Sequence, residues 1–278
     1  MTLALVRLCR PYYAVPMALT YTLTLYYARG GEMAGEGFGA AASTIALALV
    51  IAAAYVLNDV CDVAVDRSNA PERPLPAGHV SRRTAAVWGA IVAAAGLGAA
   101  WLARERFALG LAAVAAGLML YNAFSKRLGP AKPLLVGALM TCIYPLAIAQ
   151  AGGVSGSRAA ALAAFPVWMF LTVFGYEILK DIRDIPGDRA NAARPMPVQL
   201  RPRLWRGIAN AAIPVAGLVL VLPLFLGCRW VYGAMVSLAI AAAGVSVFLP
   251  IRAAIAMVYG ECLIVGVAAA ADALIFGF

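Results

Sequence analysis

Long apolar segments alternate with short polar ones along almost the whole chain. A helix of about 20 residues crosses roughly 30 Å of hydrocarbon, and most of the segments reach that length. Charged residues, glycines and prolines interrupt the segments and predict nine membrane spans. These spans are 11–29, 38–58, 83–103, 106–124, 133–152, 159–180, 205–227, 230–250 and 253–276. Because lipid offers no partner for backbone N–H and C=O groups, each span is predicted to be a helix.

The composition agrees with a polytopic membrane protein. Of the 278 residues, 64% are hydrophobic and 13% are charged, and the mean hydropathy is +0.86. The chain is therefore predicted to form one all-α transmembrane bundle, with residues 1–278 as a single domain. The first apolar segment has no small-residue cleavage site and is interpreted as a retained span.

Basic residues divide unequally between the two sides of the predicted bundle. With a cytoplasmic N-terminus, 17 of the 22 Lys and Arg residues face the cytoplasm, as the positive-inside rule requires. The net charge of +9 then follows from topology and contact with anionic lipid, so no nucleic-acid partner is predicted. Five scattered cysteines and one histidine indicate neither a disulfide framework nor a zinc site.

The acidic residues are concentrated in two short windows. Eight of the 13 lie there: Asp59, Asp62, Asp66, Glu72, Glu177, Asp181, Asp184 and Asp188. Both windows follow even-numbered spans, so they face the same side of the membrane. Arginines and a proline come after each window, which indicates a loose internal duplication.

Each window forms a stripe on one face of a helix, because residues four apart lie nearly above one another. The two stripes are Asn58, Asp62 and Asp66, then Tyr176, Lys180 and Asp184. Like charges at this spacing repel unless a cation lies between them. Oxygen-only ligands suit Mg²⁺, which usually shares its coordination shell with substrate phosphates. Asp59 lies off the first stripe, and Asp181 is a weaker candidate than Asp184 or Asp188.

Basic residues near the windows suit the phosphates themselves. They are Arg73, Lys126, Arg127, Lys180 and Arg194. The alternative is that both windows are solvated charges which stop the helices from sliding into the bilayer. Two windows matched in spacing, side and basic flanks favour the functional interpretation.

The sequence "NDVCDVAVD" at 58–66 and the sequence "DIRDIPGD" at 181–188 resemble the two aspartate motifs of the UbiA superfamily of intramembrane prenyltransferases. Three other features fit this superfamily: the nine spans, the positions of the motifs after spans two and six, and "RPLPAG" after the first motif. "YNAFSKRLGPAKPLLVG", from Tyr121, is similar to the family's basic loop between spans four and five.

The resemblance implies a prenyl diphosphate donor, two Mg²⁺ ions, and an aromatic or other small or lipid acceptor within the membrane. Membrane lipid is a further expected partner. The implied metal ligands are Asn58, Asp62 and Asp66 for one ion, and Asp184 and Asp188 for the other. The implied diphosphate ligands are Arg73, Lys126 and Lys180. Tyr176 matches the tyrosine of the family's YxxxKD pattern, and Asp62 or Asp184 would receive the acceptor's proton. The active site is expected on the cytoplasmic side of a prokaryotic inner or cell membrane.

Pro186 departs from a simple helical pattern, since proline cannot donate a backbone hydrogen bond within a helix. A bend there would leave Asp188 on a loop. Separately, residues 59–82 and 181–204 are predicted to cap the site. The sequence is also compatible with two other functions: a terpene cyclase that ionises the same diphosphate, and a transporter with functional carboxylates. A transporter is disfavoured because its coupling sites lie near the bilayer midplane, whereas both windows lie at span ends.

Overall fold

The structure, a computed structural model, describes residues 1–125, 128–190 and 200–278. Apart from an isolated β-bridge between Arg29 and Ser155, the regular structure in these ranges is helical, which confirms the all-α prediction. The α-helices are α1 Thr2–Leu8, α2 Pro11–Ala28, α3 Gly37–Asn69, α4 Arg82–Ala103, α5 Glu105–Phe124, α6 Ala131–Thr141, α7 Ile143–Ala151, α8 Ala164–Ala190, α9 Pro202–Val219, α10 Leu222–Phe225, α11 Trp230–Ser246 and α12 Ile251–Phe276. A short 3₁₀ helix, Ala159–Ala163, precedes α8.

Seven helical regions in the described ranges are long and apolar enough to cross a membrane. They are Gly37–Asn69, Arg82–Ala103, Glu105–Phe124, Ala131–Ala151, Ala159–Arg189, Pro202–Phe225 and Ile251–Phe276. The other two predicted spans coincide with α2 and with the shorter apolar helix α11. The chain is thus an integral membrane protein, and the count of nine crossings with a cytoplasmic N-terminus stays a prediction.

The chain forms two compact units. The first contains the described parts of Met1–Thr22, Ala34–Leu128 and Asp184–Arg194. The second contains those of Leu23–Met33, Gly129–Arg183 and Pro195–Phe278.

In the first unit, small residues let α3 and α4 pack closely. A Cβ added to Gly96 would come within 3.0 Å of Leu49 and Val50, so this glycine serves helix packing. The N-terminus of α4 is capped by Ser81, whose hydroxyl accepts the backbone N–H of Thr84 at 3.0 Å.

A buried apolar cluster in the same unit joins α1, α3 and the segment that precedes α4. Leu8, Val56, Leu75, Val80 and Ala85 form this cluster. Leu75 and Val80 lie in the connection that follows the first aspartate window, and they anchor it against α3. The connection is therefore a packed structure that holds Arg73 beside α3.

The second unit contains a core of α8, α9, α11 and α12, and a buried ion pair between Arg158 and Asp272. Asp272 also accepts the backbone N–H groups of Arg229, at 2.9 Å, and Tyr232, at 3.1 Å. These groups lie at the N-terminus of α11, where N–H groups have no partner within the helix. Asp272 thus has a structural role in this unit.

Both aspartate windows lie in helices that extend well past the predicted spans. α3 continues to Asn69 and α8 continues to Ala190, through Pro186. The prediction that Pro186 leaves Asp188 on a loop is therefore wrong, because a helix can continue past a proline at the loss of one hydrogen bond. Hydropathy indicates where each apolar span ends, but both helices continue beyond that point through polar residues.

Candidate active site

The first window forms the expected stripe on the last turns of α3. Asn58 donates through Nδ2 to Oδ2 of Asp62 at 3.1 Å, which confirms that these two residues share a face. The same nitrogen lies 3.3 Å from Oδ1 of Asn122, at the end of α5. Asn122 is buried and donates to the carbonyl of Ala54 at 3.0 Å. Sequence reasoning missed Asn122, although it lies in the stretch from Tyr121 that is similar to the family's basic loop.

Arg73 contacts the first window directly. Its Nη1 lies 2.6 Å from Oδ2 of Asp66 and 3.6 Å from Oδ1 of Asp59. A predicted diphosphate ligand is thus paired with a predicted metal ligand.

Arg10 is a further member of the site that sequence reasoning missed. It lies between α1 and α2 with a φ of 45°, a left-handed conformation that is uncommon for a residue other than glycine. Its guanidinium forms an ion pair with Asp59 and lies 5.0 Å from the ring centre of Tyr55. Burial is the largest single effect and disfavours the charged guanidinium, but the Asp59 carboxylate, together with Tyr12 and Tyr55, raises the pKa of Arg10 overall. Arg10 therefore stays charged at any physiological pH.

The second window lies on α8. Lys180 donates to Oε1 of Glu177 at 2.6 Å, and its ammonium lies 5.6 Å from the ring centre of Tyr176. The predicted Tyr176 and Lys180 are thus neighbours, and the ring favours the ammonium through its quadrupole. Asp181 forms an ion pair with Lys132, which lies in the first turn of α6 and was not among the predicted site residues.

The end of α8, from Asp184 onward, belongs to the same compact unit as the first window. Gly187, between Asp184 and Asp188, is buried against the side chain of Asn69, the last residue of α3. A Cβ on Gly187 would overlap that side chain. The ends of the two carboxylate-bearing helices therefore touch, and Asp184 and Asp188 are each half-buried beside that contact.

The predicted ligands Lys126 and Arg194 lie outside the described residues, as does Arg127. Among the residues that the structure describes, no three His, Cys, Asp or Glu side chains converge as a metal site would require. The donors at the window ends are nevertheless carboxylate and amide oxygens, which fit a hard cation such as Mg²⁺.

The comparison with known protein families identifies the family of this chain. A family model described as the UbiA prenyltransferase family matches residues 15–260, which contain both aspartate windows. The chain belongs to the UbiA prenyltransferase family. This confirms the resemblance of its motifs and identifies the protein as an integral membrane enzyme that transfers prenyl groups.

Individual UbiA relatives and structures agree with the family assignment. The chain is 30% identical over 190 residues to a digeranylgeranylglyceryl phosphate synthase from Sulfolobus acidocaldarius, an alignment covering 68% of this chain and 67% of the relative. Its fold is similar to that of a UbiA homologue from Aeropyrum pernix K1, with a TM-score of 0.74, 20% identity, and coverage of 94% and 96%. A UbiA homologue from Archaeoglobus fulgidus bound to GPP and Mg²⁺ gives a TM-score of 0.70 at 15% identity, with coverage of 97% and 99%.

Proposed function

We propose that this chain transfers a prenyl group from a prenyl diphosphate to a glyceryl phosphate acceptor, in a Mg²⁺-dependent reaction on the cytoplasmic face of a prokaryotic cell membrane. The contact between Asn69 and Gly187 carries the proposal, because it brings the ends of both carboxylate windows together in one unit. The whole chain acts as a single enzymatic domain in this proposal.

The acceptor class is supported by the relatives. The synthase from Sulfolobus acidocaldarius carries a name that describes a glyceryl phosphate with two geranylgeranyl groups. An enzyme that makes such a product attaches a prenyl group to a glyceryl phosphate that already carries one. This narrows the acceptor from the aromatic or lipid class to a lipid phosphate.

Metal binding is assigned to the oxygen donors of the two windows. Asn58, Asp62 and Asp66 would hold one Mg²⁺ ion, and Asp184 and Asp188 the other. When bound, Mg²⁺ would neutralise the charge that develops on the departing diphosphate. The Archaeoglobus fulgidus homologue, which has the same fold and is bound to GPP and Mg²⁺, supports a requirement for this metal.

The remaining residues act on the diphosphate and on the acceptor. Arg73 and Lys180 contact the diphosphate and stabilise its charge as the allylic C–O bond breaks, with Lys126 assigned the same task by its place in the motif. Tyr176 is proposed as a catalytic residue. Its ring lies beneath the Lys180 ammonium and holds this positive charge in place. The acceptor hydroxyl then attacks C1 of the prenyl cation, and Asp62 or Asp184 takes up its proton.

The test is a reaction of the purified protein with Mg²⁺ and prenyl diphosphates of several lengths. Parallel reactions contain a geranylgeranylated glyceryl phosphate, an aromatic acceptor, or no acceptor, and mass spectrometry identifies the products. We expect a doubly prenylated glyceryl phosphate, and none in excess chelator. A cyclic hydrocarbon in the reaction without acceptor would instead identify a terpene cyclase, and a prenylated aromatic would overturn the acceptor class.

A further inference from the structure

The two halves of the chain repeat in register, with an offset of 122 residues. Asp59, Asp62 and Asp66 recur at this offset as Asp181, Asp184 and Asp188. The same offset relates the pair Arg10-Pro11 to the pair Lys132-Pro133. The loose duplication is thus in register at these three aspartates and at the cation–proline pair.

Each half contains the same ion pair. Arg10 pairs with Asp59, and Lys132 pairs with Asp181, and each pair joins residues that are 49 apart in sequence. In both cases the cation lies at the start of one predicted span, and the carboxylate lies at the end of the next. Both pairs are largely buried: the side chains of Arg10 and Asp59 are 11% and 3% exposed, and those of Lys132 and Asp181 are 19% and 11% exposed.

We propose that Asp59 and Asp181 are equivalent positioning residues rather than metal ligands. Each one holds its carboxylate window against the start of the preceding span. Each one also retains a cation that would otherwise compete for the carboxylate three residues further on, Asp62 or Asp184. The inference rests on the proposed function only where it treats Asp62 and Asp184 as ligands of Mg²⁺.

The electrostatics of the first pair support this role. Residues three apart on a helix are neighbours, so an unpaired Arg10 guanidinium beside Asp59 also lies within reach of Asp62. A buried carboxylate that is already neutralised by a guanidinium adds little attraction for a metal ion. Removing one member of a buried ion pair leaves an uncompensated charge, which is strongly destabilising.

The second pair has one feature that favours metal binding instead. Oδ2 of Asp181 is buried without a hydrogen-bond partner among the described residues. The two roles must therefore be separated by experiment in both halves. A positioning role and a metal-ligand role predict different thermal stabilities for variants of Asp59 and Asp181 when no metal is present.

The first measurement is thermal unfolding of the purified protein in detergent with excess chelator. Asp59→Asn and Asp181→Asn should each lower the Tm by several degrees, because each removes the carboxylate charge from a largely buried ion pair. The double variants Arg10→Met/Asp59→Asn and Lys132→Met/Asp181→Asn should recover most of that loss. The control Gly98→Ala should leave the Tm unchanged or raise it, because a Cβ at Gly98 meets nothing within 4 Å.

The second measurement is the Mg²⁺ concentration that gives half-maximal activity. Asp59→Asn should raise it about tenfold, an effect typical of a residue that orients metal ligands. The double variant with Arg10→Met should restore it, because the competing guanidinium is gone.

Two results would overturn the proposal. An unchanged or higher metal-free Tm for Asp59→Asn would show that the carboxylate is not held by Arg10. A Mg²⁺ requirement that stays equally high in the single and double variants would identify Asp59 as a metal ligand. The Tm measurement needs no turnover, so it remains decisive even if the proposed reaction is not observed.

Discussion

The side chain of Asn69 lies against the α-carbon of Gly187, where any larger residue would overlap it. Asn69 is the last residue of α3, three positions after Asp66, and Gly187 directly precedes Asp188. The contact therefore sets how closely the ends of the two carboxylate windows approach. Glycine is required here for close approach, since it has no side chain to keep the helices apart.

Gly187→Ala should lower turnover strongly. The added methyl group overlaps Asn69 and separates the two windows, and a displacement of about 1 Å in an active site can cost on the order of a hundredfold in rate. The measurement is kcat of the purified variant with a prenyl diphosphate and acceptor. Gly98→Ala is the control, because a Cβ at Gly98 meets nothing within 4 Å.

The combined variant Asn69→Ala/Gly187→Ala tests the cause. Shortening Asn69 removes the overlapping atoms, so activity should return at least in part. A Gly187→Ala variant with normal kcat would show that the spacing of the windows tolerates this change.

Arg73→Ala should lower both kcat and kcat/KM by on the order of a hundredfold, by analogy with the loss of one preorganised donor to a developing anion. Arg73 lies 2.6 Å from Asp66, so it is held at the window even before a diphosphate is bound. Arg73→Lys should recover only part of the rate, because an ammonium cannot make a bidentate contact. Steady-state kinetics measure both values.

The control for this prediction is Arg106→Ala. Arg106 is exposed in the first turn of α5, and the positive-inside rule assigns it to the other side of the membrane. A residue that acts only as a topology signal affects insertion or yield rather than rate. Unchanged kcat in both alanine variants would show that Arg73 acts only as a topology signal.

The sequence predicts the helices and the two stripes well, because hydropathy and four-residue spacing are local properties. Both signals come from residues close together in the chain, such as Asn58 and Asp62, and the structure confirms their contact. The partners of Asp59 and Asp181 lie 49 residues away, and no local pattern identifies them. The contact of Asn69 with Gly187 is likewise set by tertiary packing alone.

Asp272→Asn should destabilise the protein without altering the chemistry. The substitution leaves Arg158 buried without its ionic partner, which typically costs about 3–5 kcal/mol. Arg158 is 1% exposed and also donates to the carbonyl of Gly277 at 2.8 Å, so it cannot easily move to solvent. Thermal unfolding in detergent measures the loss.

The paired variant Arg158→Met/Asp272→Asn should regain part of this stability, since no unpaired charge remains. The Mg²⁺ dependence of each variant that still folds should match the original protein. A changed Mg²⁺ dependence would contradict a purely structural role for this ion pair.

The sidedness of the site is tested by cysteine labelling at Ser68, which is exposed on the last turns of α3, two residues after Asp66. The native Cys61 is also exposed on α3, so the variant to use is Cys61→Ser/Ser68→Cys. A membrane-impermeant thiol reagent should label it in inside-out vesicles but not in intact cells, because 17 of the 22 basic residues then lie on the cytoplasmic side. Cys61→Ser/Arg106→Cys, at an exposed position assigned to the other side, should give the reverse pattern and so verify that the reagent stays on one side. Labelling of Ser68→Cys in intact cells would place both aspartate windows outside, and the diphosphate would then have to be supplied from that side of the membrane.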